Sequence, residues 1–441
     1  MASVLDSALN CNKSLKINFN GGDLSSDAGL ILFKEFFHKI GLEKLLKNKF
    51  KTYDKALFRH HTDPDNLLQS IYQIFGAYFE DDCADELRHD PVMRTILNKD
   101  SLASQPTMSR FFNRMDEATI QQLSEVNRIL RRRVYSVQMP EFLLLDLDST
   151  LLNTYGNQEG NGFNYHYQSY GYHPLVCYDG LTGDLLKIQL RDGTDYSCTG
   201  VVDFLQPILN ELWEDCPNTK LFLRGDSGFA TPDLYEQCES NGISYAIRLK
   251  ENPVLIRSAK DIEDDLADKV KKDVLSYAVA YGEFMYKAAK WPYARRVVCK
   301  AEKPANQMVF LYTFIVTNMD SEPSDVIRFY CKRGTMENFI KESKNGFDFA
   351  AVSSSSKLVN ANRLQIHALA YNLFNWFKRL VLPTKFRKLQ ADTIRMKLIK
   401  IAAKVVRSAR YMVFKLCSSC PYQEEFTETL SNIRQLQVEL E

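Results

Sequence analysis

Three aspartates and one polar stripe stand out by residue type and spacing. Asp146 and Asp148 close an apolar run in Leu144-Leu145-Asp146-Leu147-Asp148-Ser149-Thr150, and Asp226 closes another in Leu223-Arg224-Gly225-Asp226-Ser227-Gly228. Side chains two apart on a strand share a face, so Asp146 and Asp148 are expected on one side of a sheet. Acids at the ends of apolar strands sit where α/β sheets place ligand sites. The plainer alternative is that they cap the turns that follow. Converging carboxylates repel and shift one another's pKa unless a cation neutralises them, and Mg²⁺ prefers carboxylate and water oxygens.

The stripe comes later in the chain: Tyr330, Arg333, Glu337 and Lys344, spaced Y-x2-R-x3-E-x6-K. On one continuous helix these four fall within a band roughly 60° wide. Phe329, Met336, Ile340 and Phe347 mark the buried face beside it. Gly334 borders the band at a cost of up to ~1 kcal/mol in helix propensity, as though another backbone had to approach there. The alternative is a surface helix in which Arg333–Glu337 and Glu337–Lys341 are i,i+4 pairs worth about 0.3–0.5 kcal/mol each. The two strand-end aspartate sites earlier in the chain tell against it.

These residues need elements to hold them. Residues 1–140 read as mostly helical, with Leu67, Leu68, Ile71, Tyr72 and Phe75 at amphipathic-helix spacing. From Pro140 the texture changes. Phe142–Leu145 and Lys220–Leu223 read as buried strands, and Leu175–Tyr178 and Leu185–Leu190 as a hairpin around Asp179-Gly180-Leu181-Thr182-Gly183. Val201–Trp213 reads as an amphipathic helix, and Tyr245–Leu249 as a further strand. The order gives an α/β layer with a mixed sheet. Candidate strands Val274–Ala280, Arg296–Lys300 and Met308–Val316 follow, then one helix from Ser324 to Asn345-Gly346.

The chain has 441 residues, 45% apolar and 25% charged, which suits two or three domains with real cores. It shows neither a secretory leader pattern nor an uncharged apolar run of about 20 residues, so the expectation is an intracellular protein that does not span a membrane. Ten cysteines lack a repeating spacing, and the lone pair Cys417/Cys420 lacks the second pair a zinc site needs. The formal net charge is only +1, but residues 378–410 hold eleven Lys/Arg against the single acid Asp392. Such an excess on a helix-forming stretch suits a polyanion such as DNA, or a solvated face balanced elsewhere.

Taken together, Asp148, Asp226, Glu337 and the Y-R-E-K spacing resemble the DDE transposases of bacterial insertion sequences. The group numbered thirteen-eighty is the most similar. Its pattern resembles Asn20-Gly21-Gly22, Ser26-Asp27-Ala28-Gly29, Leu87-Arg88-His89-Asp90-Pro91, Gln105-Pro106-Thr107-Met108-Ser109-Arg110 and Gln158-Glu159-Gly160. The resemblance spans nearly the whole chain. It implies an RNase H-like mixed sheet flanked by helices, with a β-rich insertion domain, a helical N-terminal domain and a helical C-terminal region.

It also implies the division of labour. Residues 1–140 form a helical DNA-binding domain, 141–251 the first part of the catalytic core, and 252–323 the β-rich insertion. Residues 324–350 complete the core with the glutamate helix, and 351–441 form the basic helical region. Asp148, Asp226 and Glu337 become the catalytic metal ligands, with Asp146 a near rival of Asp148; the Thr/Ser after the aspartate favours Asp148. Two Mg²⁺ or Mn²⁺ ions ~3.5–4 Å apart serve phosphoryl transfer without a covalent enzyme intermediate. Tyr330, Arg333, Lys341 and Lys344 contact the DNA end, Arg333 as a phosphate fork and Lys344 as a point charge. Trp291, near Arg295 and Arg296, either stacks on an unpaired base or simply fills the insertion. The partners implied are the element's terminal inverted repeats, target DNA and a second copy of the chain, in the bacterial cytoplasm at the nucleoid. The protein would cut the element out and paste it elsewhere.

A rival reading takes Asp146-Leu147-Asp148-Ser149-Thr150 as the D-x-D-x-T of a haloacid-dehalogenase-like phosphatase. Asp146 would then be the nucleophile and Asp148 the acid/base. No GDxxxD accompanies it, since Asp226 is followed by Ser227-Gly228-Phe229-Ala230. This reading also leaves the stripe and the basic segment unexplained.

Overall fold

The computed structural model describes residues 7–54, 56, 58–272, 275–307 and 309–440. They divide into two compact units. One holds the described residues through Val137, with Gly346–Asp348 and the chain from Leu369 onward; the other holds Gln138–Asn345 and Phe349–Ala368.

The first unit is mainly helical. Helices α1 (Leu30–Lys39), α2 (Asp63–Phe75), α3 (Pro91–Leu97) and α4 (Glu117–Val137) supply most of it. Two of the starts are written locally. Thr62 and Asp65 form a capping box at α2, and Asp90 Oδ1 accepts from Met93 N (2.7 Å) at α3. Phe33, Phe37, Phe75, Phe374 and Phe377 meet in an aromatic core, with Phe33 and Phe377 stacked at 4.0 Å. The Ser26-Asp27-Ala28-Gly29 motif is a docking joint. Gly29 lies so close to the 398–399 backbone that a Cβ there would come within 1.7 Å of the Leu398 carbonyl oxygen. Buried Asp27 takes Tyr78 Oη (2.7 Å) and Lys400 Nζ (2.7 Å).

The basic stretch 378–410 departs from the expected helix. The helix running from Lys357 ends at Val381, a π-turn covers Arg395–Ile399, and Ala403–Arg407 pairs with Met412–Leu416 as a β-hairpin. The β-branched pair Val405-Val406 suits that strand. Nor is the stretch one DNA-facing surface. Arg395 is only 2% exposed and donates to the carbonyls of Ile74 and Phe75, closing the end of α2. Lys385 pairs with Glu425 and Lys400 with Asp27.

The second unit is the expected α/β layer. Its strands are β1 (Phe142–Ser149), β2 (Leu175–Asp179), β3 (Leu185–Gln189), β4 (Lys220–Gly225), β5 (Ser244–Leu249), β6 (Ala278–Tyr286), β7 (Arg295–Lys303) and β8 (Leu311–Thr317). They form one eight-stranded mixed sheet in the order β6-β7-β8-β5-β4-β1-β2-β3. β4 runs parallel to β1 and β5; the other neighbours are antiparallel. Helix α5 (Val201–Asp215) crosses from β3 to β4 and α6 (Pro232–Ser240) from β4 to β5. The β2–β3 turn forms where expected. Thr182 Oγ1 donates to Asp179 Oδ2 (2.5 Å), and Gly183 takes φ +76°.

The strands expected between 252 and 323 continue this sheet through the β8–β5 pairing and do not form one of their own. Val274 and Met308, expected as strand ends, lie outside the described residues.

Candidate active site

The parallel β1–β4 register sets Arg224 opposite Asp146, and both are buried. Arg224 Nε and Nη2 reach Asp146 Oδ1 and Oδ2 at 2.7 and 2.6 Å, a bidentate pair. Gly180 makes room for it, because a Cβ there would lie 2.2 Å from Asp146 Oδ2. With 0% exposure and both oxygens paired to Arg224, Asp146 is shut away from solvent, which tells against it as a phosphatase nucleophile and as a cation ligand.

The third guanidinium nitrogen of Arg224 donates to the Phe329 carbonyl (2.7 Å). This corrects the expectation of one helix from 324 to 346. Phe329 O is the acceptor that Arg333 N would use in a continuous α-helix. With Arg224 on it, Arg333 N turns to Tyr330 O (2.8 Å). The chain therefore forms two helices, α7 (Pro323–Cys331) and α8 (Gly334–Phe347). The stripe is broken at Arg333, and the 60° band holds only within each half. Gly334 answers to no neighbour, since a Cβ there would meet nothing within 4 Å. It opens α8 and is not a point of backbone approach.

The break turns Arg333 toward the end of β1. Its Nη2 lies 3.0 Å from Asp148 Oδ2 and donates to Leu147 O at 3.0 Å, while its Nε is buried without a partner. Asp148 Oδ1 accepts from Ser149 N (2.9 Å). Burial pushes the Asp148 carboxyl up to about 6; Arg333 pulls it down and the Asp226 charge raises it further. Asp226 Oδ1 accepts from Gly228 N (2.8 Å), capping the turn Ser227–Phe229. The capping alternative thus holds for Asp226 without removing it from the cluster, since its charge acts on Asp148.

The other stripe residues divide. Tyr330 is half-buried, its hydroxyl pKa raised by burial, with Arg333, Arg248, Asp226 and Asp148 around it. Lys344 Nζ donates to Leu151 O (2.7 Å); burial lowers its pKa while Asp148 raises it. Helix α8 is fixed to the sheet by Tyr178 Oη and Ser343 Oγ (2.8 Å). Glu337 and Lys341 are exposed on α8. Among the described residues no group of three or more His, Cys, Asp or Glu side chains is gathered to hold a metal ion. Asp148 and Asp226 therefore meet, with Glu337 outside the pair.

Trp291 is only 6% exposed and packed edge-on against Tyr235 of α6 and Tyr286 of β6, so it is a packing residue with little surface left for a base. None of the ten cysteines is joined in a disulfide. Sequence reasoning missed Tyr167, whose hydroxyl donates to Ser149 O (3.3 Å). Its pKa is pushed up to about 12 by burial and by the charges of Asp148 and Asp226. The aromatic run Phe163-Asn164-Tyr165-His166-Tyr167 was the available signal. The Gln158-Glu159-Gly160 motif anchors the segment before the Lys357 helix, Gln158 Nε2 donating to Val352 O (2.5 Å) and Glu159 Oε2 accepting from Lys357 N (3.1 Å).

No curated protein matches the chain. Among solved structures, a piggyBac transposase synaptic complex with hairpin DNA is similar over 93% of this chain and 85% of its own, at 14% identity and a TM-score of 0.43. A Mos1 transposase paired-end complex with the left transposon end is similar over 46% and 64%, at 9% identity and a TM-score of 0.18. Both are too distant to transfer residues or partners. The family described as Transposase DDE domain group 1 matches residues 7–438, and the chain belongs to that family.

Proposed function

We propose that the chain is the transposase of a bacterial insertion sequence, cutting at its element's terminal repeats and joining the freed ends to target DNA. Asp148, Asp226 and Glu337 would hold two divalent cations, Mg²⁺ or Mn²⁺. The observation that carries this is the Asp148–Asp226 pair at the ends of adjacent parallel strands, with Arg333 against it. The donor chemistry fits a hard cation: two mutually repelling carboxylates, one of them raised to about 6, are relieved by positive charge. Glu337 would join from the first turn of α8. Bound there, the cations would polarise the scissile phosphate and favour ionisation of the attacking hydroxyl.

The chain's own residues do the rest. The unpaired Nε of Arg333 is a buried donor in want of an acceptor, which a phosphate oxygen supplies. Lys344 adds a fixed positive charge on the same side, and Tyr330 a hydroxyl at the DNA end. Asp146 and Arg224 position the site by breaking the helix at Arg333. The helical N-terminal part would hold the terminal repeats, the C-terminal region would assist, and pairing of two ends would call for a dimer on DNA. A place at the bacterial nucleoid follows from that role; no helix of the described residues is long and apolar enough to cross a membrane.

The test is cleavage of DNA carrying the element's own terminal repeats, in Mg²⁺ or Mn²⁺ against EDTA. Loss in EDTA and in Asp148→Ala, Asp226→Ala and Glu337→Ala is expected. Undiminished cleavage by Asp148→Ala or Glu337→Ala would overturn the assignment.

A further inference from the structure

The first unit carries a cleft of about 450 Å³ that the catalytic reading does not use. Its walls come from remote segments: His60, then Arg94 and Lys99 around the end of α3, and Arg407 at the end of the Ala403–Arg407 strand. Asp100 is its one acid. The Lys99 charge is already met by Asp65 at 2.7 Å. Arg94 differs. Its guanidinium is half-buried, has no ion-pair partner among the described residues, and keeps a buried Nε with no hydrogen-bond partner. A buried guanidinium donor left unsatisfied costs stability, and an anion with several oxygens relieves it. The neighbouring His61 is held below its usual range by burial first, then by the charges of His60 and Lys99, with Asp65 acting against them.

The strand that brings Arg407 to the cleft runs on to an exposed tip. Beyond Arg407 the hairpin turns at Ser408–Tyr411, closed by Ser408 N to Tyr411 O (2.9 Å), and presents Arg410 beside Tyr411, whose side chain is 72% exposed. A small anion would need only the cleft. A cationic, aromatic tip beyond Arg407 suits a polymer that goes on past the first phosphate.

We propose that this cleft binds a phosphodiester of the DNA backbone, with Arg94 and Arg407 as its two forks and the hairpin tip following the strand. The proposal rests on the reading of the chain as an enzyme that acts on DNA, and it assigns the contact to a site separate from the carboxylates.

The test has two arms. In the first, duplex binding is measured against salt concentration. Arg94→Ala and Arg407→Ala should each lower the slope of log K on log[salt] by about 0.9 and weaken specific and random duplexes alike. Asp100→Asn should tighten binding a few-fold at low salt, an opposite effect that misfolding does not imitate. Each variant's unliganded Tm should stay near wild type. In the second arm, inorganic pyrophosphate should raise the Tm of wild type but not of the double arginine variant. Wild-type DNA binding with unchanged slopes in both arginine variants would sink the cleft and leave the transposase reading standing. Pyrophosphate stabilisation through the arginines with unchanged slopes would mark a small-phosphate site and overturn the DNA assignment. A wild type that binds no duplex would overturn both.

Discussion

On the proposed function the chemistry turns on Asp148, and the surroundings of that residue make a pH prediction. A cation needs its carboxylate ionised, and burial has pushed that carboxyl up to about 6. Cleavage should therefore fall as pH drops through about 6, with up to one proton's slope in the rate profile. Arg333 is the largest of the causes that lower this pKa, ahead of the Ser149 backbone hydrogen bond, so Arg333→Ala should move the acid limb upward. A profile flat from pH 5 to 8 would contradict the assignment. The same shift makes a stability prediction. For an acid whose folded pKa lies above its unfolded value, ionisation costs the folded state; the cost is absent below about pH 4 and full above about pH 6. Without divalent cations, Asp148→Asn should stabilise at pH 7.5 by on the order of 2 kcal/mol and have little effect near pH 4, read by chemical denaturation. Spacing placed both Asp146 and Asp148 on one strand face and only the family resemblance favoured Asp148, because the partner that separates them, Arg224, comes 78 residues later.

At the scale of elements, the sequence pattern found the strands of the eight-stranded sheet and both halves of the Y-R-E-K segment but not the break between them. The break depends on a side chain from β4 that takes the Phe329 carbonyl, and no local pattern records it. Arg224→Leu should cost about 3–5 kcal/mol by leaving Asp146 buried and unpaired, and Asp146→Asn combined with it should recover part of that loss. Cleavage should stay low in the double variant, because Arg333 N regains the Phe329 carbonyl and the two helices fuse. Two glycines give a matched contrast. Gly334→Ala, in open space at the start of α8, should be neutral or stabilise by up to ~1 kcal/mol. Gly29→Ala would drive a Cβ into the Leu398 carbonyl and should be severely destabilising in thermal melts.

For the whole molecule, chain length implied two or three domains and strand order implied the mixed sheet, which the structure shows. What stayed hidden were pairings between distant segments. The 278–317 strands joined the main sheet, and the basic 378–410 segment spent Arg395 and Lys400 on helix closure and on Asp27. A charge run shows how many cations there are, not where each is held. The central claim, that Asp148 and Glu337 are metal ligands, is tested most directly by exchanging each for a thiolate. Cleavage of terminal-repeat DNA would be compared in Mg²⁺ and in the more thiophilic Mn²⁺ for Asp148→Cys and Glu337→Cys. The account predicts that both variants are inactive in Mg²⁺ and recover in Mn²⁺. Wild-type rates in Mg²⁺ for either variant would contradict it.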